Sequence, residues 1–130
     1  MSYCDDYKID FVLPWVDGND VAWQREKAKY SGTEFCDESV SRYRDWDNLH
    51  YVFRGIEKFT PWVNKVHFIT HGHLPKWLDT SNPKLNIVKH SDFMPKEYLP
   101  VFSCNPFEVN LHKIPNLSEH FVYLNDDIFF

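Results

Sequence analysis

The stretch Phe121-Val122-Tyr123-Leu124-Asn125-Asp126-Asp127 joins an uncharged, mostly apolar run to two adjacent aspartates. A run of this kind predicts a buried strand, and the aspartates then follow its carboxyl end. Adjacent carboxylates repel each other and commonly share a hard divalent cation. Open α/β sheets bind phosphate-bearing ligands at that end of their strands. We therefore take Asp126 and Asp127 as candidate ligands of Mg²⁺ or Mn²⁺. A solvated turn with a helix-capping Asp is the alternative, because motifs this short recur by chance.

A second apolar segment, residues 9–16, ends at the turn signal Asp17-Gly18. Pro14 has no amide hydrogen for a sheet ladder, so we expect this strand to be interrupted or to lie at a sheet edge. Asn19 or Asp20 is expected to cap a short helix that follows.

Helical periodicity is clearest in the middle of the chain. An apolar stripe at i, i+3, i+4 and i+7 predicts a helix that faces a core; its members are Leu49, Val52, Phe53 and Ile56, extended by Trp46 and Phe59. Pro61 should end this helix.

The second half of the chain predicts two short strands and another helix. The strands are expected at residues 65–70 and 85–87. Residues 105–108 carry an N-cap, an N1 proline and an N3 glutamate, which predict a helix that ends before Pro115. Strands that alternate with helices are typical of an α/β fold with a mostly parallel sheet and flanking helices.

Composition excludes several classes of protein. The 130 residues fit one domain, residues 1–130, and 43% hydrophobic content argues against disorder. The net charge is -5 and no Lys/Arg cluster occurs, so we expect no nucleic-acid partner. No apolar run approaches 18 residues, so we expect no transmembrane segment. Three scattered cysteines and an acidic N-terminus without signal-peptide features predict a cytoplasmic protein, with peripheral membrane association left open.

Asp17 and Gly18 are candidate binding residues, since parallel strands would bring them to the same edge as the Asp126-Asp127 pair. Gly18 would let the backbone approach a ligand closely. An ordinary turn role for Asp17 is the alternative.

Arg42 and Arg44 are candidate phosphate ligands. They lie near the start of the predicted central helix, where a cation is mildly unfavourable against the helix dipole. A bound phosphate would make cations favourable at this position and would accept hydrogen bonds from both guanidinium groups. Ion pairs with Asp45 or Asp47 are the alternative.

His67, His71 and His73 raise the question of a zinc site. A catalytic zinc site needs three well-placed protein ligands. No carboxylate or cysteine completes such a set in the local sequence, so we do not predict one.

These segments together resemble the Stealth family, which includes bacterial capsular polysaccharide phosphotransferases. The first matching block is Asp10-Phe11-Val12-Leu13-Pro14-Trp15-Val16-Asp17-Gly18. The second extends over most of the remaining chain; it includes Arg42-Tyr43-Arg44-Asp45, Pro61-Trp62-Val63, Leu111-His112-Lys113-Ile114-Pro115 and Tyr123-Leu124-Asn125-Asp126-Asp127. Agreement at so many positions is far more specific than any one motif.

The resemblance implies a fold similar to the nucleotide-sugar-binding half of GT-A glycosyltransferases. It implies transfer of a hexose-1-phosphate from a nucleotide-sugar donor to a hydroxyl of a glycan acceptor. Asp126 and Asp127 would hold Mg²⁺ or Mn²⁺. Asp17, Arg42 and Arg44 would be the catalytic residues: the two arginines would clamp phosphates, and Asp17 would hold the sugar, the nucleotide or the metal. The donor would be bound by Asp17, Gly18 and Asn125.

The resemblance also implies an N-terminal fragment of a longer phosphotransferase, because two family blocks that follow the Asp-Asp strand are absent. Two other functions remain open. One is a catalytically incomplete module that only binds a nucleotide-sugar. The other is a different Mg²⁺-dependent phosphoryl-transfer enzyme with a strand-end Asp nucleophile, although Asn125-Asp126-Asp127 lacks the usual Asp-x-Asp spacing.

Overall fold

Four parallel strands form the centre of the structure, a computed structural model that describes residues 7–31 (30 and 31 by backbone alone), 48–99, 106 and 108–126. The strands are β1 (Ile9–Pro14), β2 (Val66–Thr70), β3 (Leu85–Lys89) and β4 (His120–Tyr123). Their spatial order is β3-β2-β1-β4, and every neighbouring pair runs parallel. The predicted α/β class with a mostly parallel sheet is confirmed.

Helices flank this sheet. They are α1 (Val21–Ser31), α2 (Leu49–Phe59) and α3 (His90–Phe93), with single 3-10 turns at Lys96–Tyr98 and Leu111–Lys113. Asp20 caps α1, since its Oδ1 accepts the Trp23 amide at 3.0 Å, as predicted. Within the described parts of the chain, no helix has the length and apolar character needed to cross a membrane.

Apolar side chains pack on both faces of the sheet, because successive strand residues point to opposite sides. Alternate residues of β1, Phe11 and Leu13, face α2 and its buried stripe. Val12 faces the other way, onto the cluster that contains α3 and the turn at Leu111–Lys113. Burial on both faces explains the nearly continuous apolar run in β1.

β1 lies inside the sheet, so the expectation of an interrupted or edge strand is wrong. The amides of Phe11 and Trp15 donate to the β2 side at 2.8 and 2.9 Å. Backbone direction alternates along a strand, so the Pro14 nitrogen faces the β4 side. Pairing with β4 stops at Val12, and the missing N–H of Pro14 therefore removes no bond to β2.

β4 is an edge strand of the described sheet and not the buried strand that was predicted. Phe121 and Val122 are 38% and 42% exposed. An uncharged run does not distinguish a strand buried on both faces from an apolar strand at an edge.

The helix predicted to end before Pro115 is shorter than expected. Only Pro106 and Glu108 are α-helical among the described residues there, and a 3-10 turn follows; Asn105 and Phe107 lie outside the described residues. The Asn110 side chain donates to the Pro106 carbonyl at 2.7 Å. Such side-chain bonds compete with the backbone bonds that would continue a helix.

The central helix matches its prediction except at one end. Leu49, Val52 and Ile56 are buried, and α2 ends at Phe59, just before Pro61. Phe59 is 55% exposed, so it does not extend the stripe. Trp46 lies outside the described residues.

Candidate functional site at the carboxyl edge of the sheet

The carboxyl ends of β1 and β4 meet at one edge of the sheet. The two strands are adjacent and parallel, with Val12 opposite Tyr123. The Leu124 amide donates to the Val12 carbonyl at 2.8 Å and holds the end of β4 against β1. The segments Asp17-Gly18 and Asn125-Asp126 therefore emerge from neighbouring strands on the same side, as the sequence predicted.

The structure describes four of the seven predicted site residues. Asp17 and Gly18 are partly exposed, and Asn125 and Asp126 are exposed. The remaining three predictions, Arg42, Arg44 and Asp127, lie outside the described residues.

The loop from Asp17 to Asp20 is held by hydrogen bonds within itself and to α1. Asp17 Oδ1 accepts the Asn19 amide at 2.9 Å. The Gln24 side chain donates to the Gly18 carbonyl at 2.6 Å. Asp20 caps α1, and its pKa lies below the ordinary value, chiefly because its carboxylate accepts the Trp23 amide. The turn predicted at Asp17-Gly18 is thus a fixed loop joined to a helix start.

Sequence reasoning missed His73 as a member of this edge. Its Nε2 atom accepts the Asp17 amide at 2.8 Å, and its Nδ1 atom lies 3.2 Å from Asp20 Oδ2. Gly72, which lies between His71 and His73, has a φ of 127° and turns the chain there. The available signal was the His71-Gly72-His73 turn directly after β2, but the partners of His73, Asp17 and Asp20, lie more than fifty positions earlier in the chain.

The other histidines at this edge have separate partners. His71 Nε2 lies 2.9 Å from Glu26 Oε2. His90 follows β3, and its ring lies 5.8 Å from that of His71. Burial, aided by His71 and His73, lowers the pKa of His90 to about 4. Burial also lowers the pKa of His73, against the opposing effect of Asp20 and Asp17. The lowered pKa values of His73 and His90 keep both of these imidazoles mostly neutral at pH 7.

His67 lies apart from this edge and belongs to a buried polar group. Asp10 and His67 are fully buried, and His67 Nε2 lies 2.8 Å from Asp10 Oδ2. Asp10 also accepts the Asn64 side chain at 2.8 Å and the Ser118 amide at 2.9 Å. Burial raises the pKa of Asp10, but these hydrogen bonds outweigh burial and bring it below the ordinary value.

Among the described residues, no group of three His, Cys, Asp or Glu side chains is arranged to hold a metal ion. Of the two predicted Mg²⁺ ligands, Asp126 is exposed at this edge, and Asp127 lies outside the described residues. The donor types still suit the ion: Mg²⁺ is commonly held by one or two carboxylates, with water and substrate phosphates as its other ligands.

A cavity of about 840 Å³ lies elsewhere, between α2 and the connection from β2 to β3. Its lining includes Thr60, Val66, Trp77 and Leu85. Val66 and Leu85 begin their strands, so this cavity opens toward the amino ends of β2 and β3. It does not include the candidate site.

Comparison with known proteins assigns the chain to a family. Residues 7–34 match conserved region 1 of the Stealth proteins, and residues 42–130 match conserved region 2. The chain belongs to the Stealth family. The resemblance stated from the sequence is confirmed, and both carboxylate segments of the candidate site fall within the matched Stealth regions.

Several curated bacterial phosphotransferases are similar to this chain. It is 54% identical over 126 residues to the receptor polysaccharide phosphotransferase WefC of Streptococcus oralis, covering 94% of this chain and 38% of the relative. It is 55% identical to the capsular polysaccharide phosphotransferase WcwK of Streptococcus pneumoniae, covering 93% of this chain and 37% of the relative. For the capsular polysaccharide phosphotransferase CpsJ of Streptococcus thermophilus, the identity is 47%, over 93% and 52% of the two chains. The chain thus spans from over a third to about half of these relatives.

Proposed function

We propose that this chain carries the donor-binding part of a bacterial sugar-phosphate transferase that acts in capsular or exopolysaccharide synthesis. The observation that carries the proposal is the meeting of two Stealth segments, Asp17-Gly18 and Asn125-Asp126, at the carboxyl ends of adjacent parallel strands. The names of the relatives support a phosphotransferase with a polysaccharide product.

The donor proposed is a nucleotide-sugar, and the acceptor is a glycan hydroxyl. The hydroxyl oxygen attacks the phosphorus next to the sugar, and its proton passes to solvent. The bond from that phosphorus to the oxygen that bridges the two phosphates breaks, and a nucleoside monophosphate leaves. The sugar keeps its bond to its own phosphate. A cation bound at Asp126 and Asp127 would supply charge neutralisation for the diphosphate.

The residues of this chain would bind and orient the donor. The Asp17 loop is held before any donor arrives, which reduces the ordering cost of binding. Gly18 and Asn125 would contact the donor beside the carboxylates. Hydrogen bonds from arginine to phosphate add both charge and direction, which is the role proposed for Arg42 and Arg44.

A substitution at Arg44 distinguishes phosphate binding from a surface ion pair. If Arg44 binds phosphate, Arg44→Ala should weaken donor binding by roughly 1.5–3 kcal/mol, the range for hydrogen bonds to charged groups. If it only forms a surface ion pair with Asp45 or Asp47, donor affinity should not change and stability should fall by less than about 1 kcal/mol. Parallel calorimetric titration and urea unfolding distinguish these outcomes; Arg54→Ala, an exposed arginine on α2, is the control.

The identity of the released nucleotide tests the reaction type. The chain is incubated with Mn²⁺ and UDP-glucose, UDP-N-acetylglucosamine or GDP-mannose in H₂¹⁸O, with water as the acceptor. The proposal predicts slow release of a nucleoside monophosphate, far below the rate of a full-length relative, with ¹⁸O in the sugar 1-phosphate. A nucleoside diphosphate would show cleavage at the anomeric carbon and contradict it. Binding without release of either nucleotide would favour the binding-module alternative.

A further inference from the structure

His73 joins the loop after β2 to the Asp17 loop through two hydrogen bonds. Its ring accepts one of them and donates the other. The Asp17 backbone nitrogen lies 2.8 Å from His73 Nε2. The Asp20 Oδ2 atom lies 3.2 Å from His73 Nδ1. A backbone amide can only donate and a carboxylate accepts, so Nε2 carries no proton and Nδ1 carries one. The contacts select a single neutral tautomer.

The ring is held on its other sides as well. Trp15 meets it nearly at right angles, with ring centroids 5.3 Å apart and an interplanar angle of 88°. The His73 side chain is 16% exposed. Asp20 is fixed in turn, because its second oxygen accepts the Trp23 amide at the start of α1. The imidazole therefore presents Nε2 toward the Asp17 amide in one orientation.

We propose that His73 is a positioning residue for the donor site: Nε2 holds the Asp17 amide, and thereby sets the Asp17 carboxylate and the Gly18 backbone in place for the nucleotide-sugar. This inference rests on the proposed function, because it is the proposed function that assigns nucleotide-sugar binding to Asp17. Loss of the acceptor would leave the Asp17 amide to water and free the loop from the β2 side. Donor binding would then have to order the loop.

The ring nitrogens give the first test. In the ¹⁵N-labelled chain at pH 7.5, NMR of the His73 side chain should show a protonated Nδ1 and an unprotonated Nε2. A protonated Nε2 would overturn the inference, since that atom could not accept from the Asp17 amide. This measurement of the tautomer requires neither donor binding nor catalytic activity.

Two substitutions of similar size separate positioning from packing. His73→Gln places an amide oxygen near the position of Nε2 and keeps an acceptor for the Asp17 amide. His73→Asn places an NH₂ group near Nδ1 and keeps only the donor to Asp20. His73→Gln should keep the Asp17 amide slow to exchange with solvent and donor affinity close to wild type. His73→Asn should speed that exchange and weaken donor binding by about tenfold, the effect of one hydrogen bond.

His71 supplies the matched control. It lies on the same turn and faces Glu26 at 2.9 Å, so His71→Gln and His71→Asn should not differ in donor affinity or in Asp17 amide exchange. Equal weakening by His73→Gln and His73→Asn would show that the ring only packs, and would overturn the inference.

Failure of the proposed function would look different. The probes are UDP-glucose, UDP-N-acetylglucosamine and GDP-mannose with Mn²⁺, each titrated into the chain by calorimetry. If the wild type bound none of them, the donor role of Asp17 and of His73 would be overturned. The tautomer and the amide exchange would still decide whether His73 holds the Asp17 loop.

Discussion

At the scale of single residues, Asp10 shows how one buried carboxylate joins three segments of the chain. It accepts hydrogen bonds from Asn64 before β2, His67 within β2 and Ser118 before β4. The partner of His67 on its other ring nitrogen is Asn86 of β3, at 2.9 Å. The polar group around Asp10 therefore contacts each of the four strands or the segment that leads into it.

Asp10→Ala should be strongly destabilising. It removes the acceptor of three donors, His67 fully buried and Asn64 and Ser118 partly buried, and a buried donor left unsatisfied costs about 1–3 kcal/mol. Urea unfolding should show a loss of at least about 3 kcal/mol, and a smaller loss for Asp10→Asn, which keeps one acceptor oxygen. Asp79→Ala is the control, because that carboxylate is exposed and accepts its hydrogen bonds from the neighbouring Ser81. Equal unfolding midpoints for Asp10→Ala and Asp79→Ala would contradict the role of the buried group.

His90 should make stability depend on pH. Its pKa in the folded chain is about 4, below the ordinary 6.5, because it is buried beside His71 and His73. The unfolded chain therefore binds a proton first as pH falls. The contribution is complete above pH 6.5 and is lost between pH 6.5 and about 4, a loss of about 3 kcal/mol from this group.

The measurement is the free energy of unfolding from pH 7.5 to 4. His90→Gln should flatten the curve over that range, whereas His112→Gln, at an exposed position, should leave it as in the wild type. A curve for His90→Gln as steep as that of the wild type would show that His90 titrates normally in the folded chain.

At the scale of helices and strands, α2 gives a contrast between two apolar residues on one helix. Ile56 is 5% exposed in the core, and Phe59 is 55% exposed. Ile56→Ala should cost about 2–5 kcal/mol, the range for a large aliphatic residue truncated in a core. Phe59→Ala should cost less than about 1 kcal/mol, because surface substitutions are usually near neutral. Thermal and urea unfolding of the two variants measure the difference, and similar losses would contradict the observed end of the buried stripe.

The same elements show what periodicity can predict. The i, i+3, i+4, i+7 spacing of Leu49, Val52, Phe53 and Ile56 fixes a helix and its inner face, and both were confirmed. The apolar run at Phe121–Leu124 predicts a strand but not its neighbours, so its exposed edge could not be foreseen. Pro14 led to the wrong prediction of an edge strand. The sequence does not show which side of the strand the Pro14 nitrogen faces, or that pairing on that side stops before it.

At the scale of the whole molecule, parallel pairing made part of the site predictable. Asp17 and Asp126 follow separate apolar runs, and once both runs are parallel strands their ends share an edge. The partners of His73 could not be predicted in this way. The contacts of His73 depend on the turn at Gly72 and on the Asp17 loop, 56 positions before His73. Contacts between such distant segments leave no periodic pattern in the local sequence.

The carboxyl edge of the sheet is proposed to bind a divalent cation together with a nucleotide-sugar. The most direct test of this claim is calorimetric titration of UDP-glucose, UDP-N-acetylglucosamine and GDP-mannose into the chain with and without Mn²⁺. Mn²⁺ should tighten the affinity for a donor by roughly 5–150-fold, the usual range for coupled sites. The double variant Asp126→Asn with Asp127→Asn should lose this coupling, while Asp79→Asn, an exposed carboxylate in the connection from β2 to β3, should retain it. Metal-dependent donor binding unchanged in the double variant would contradict the claim.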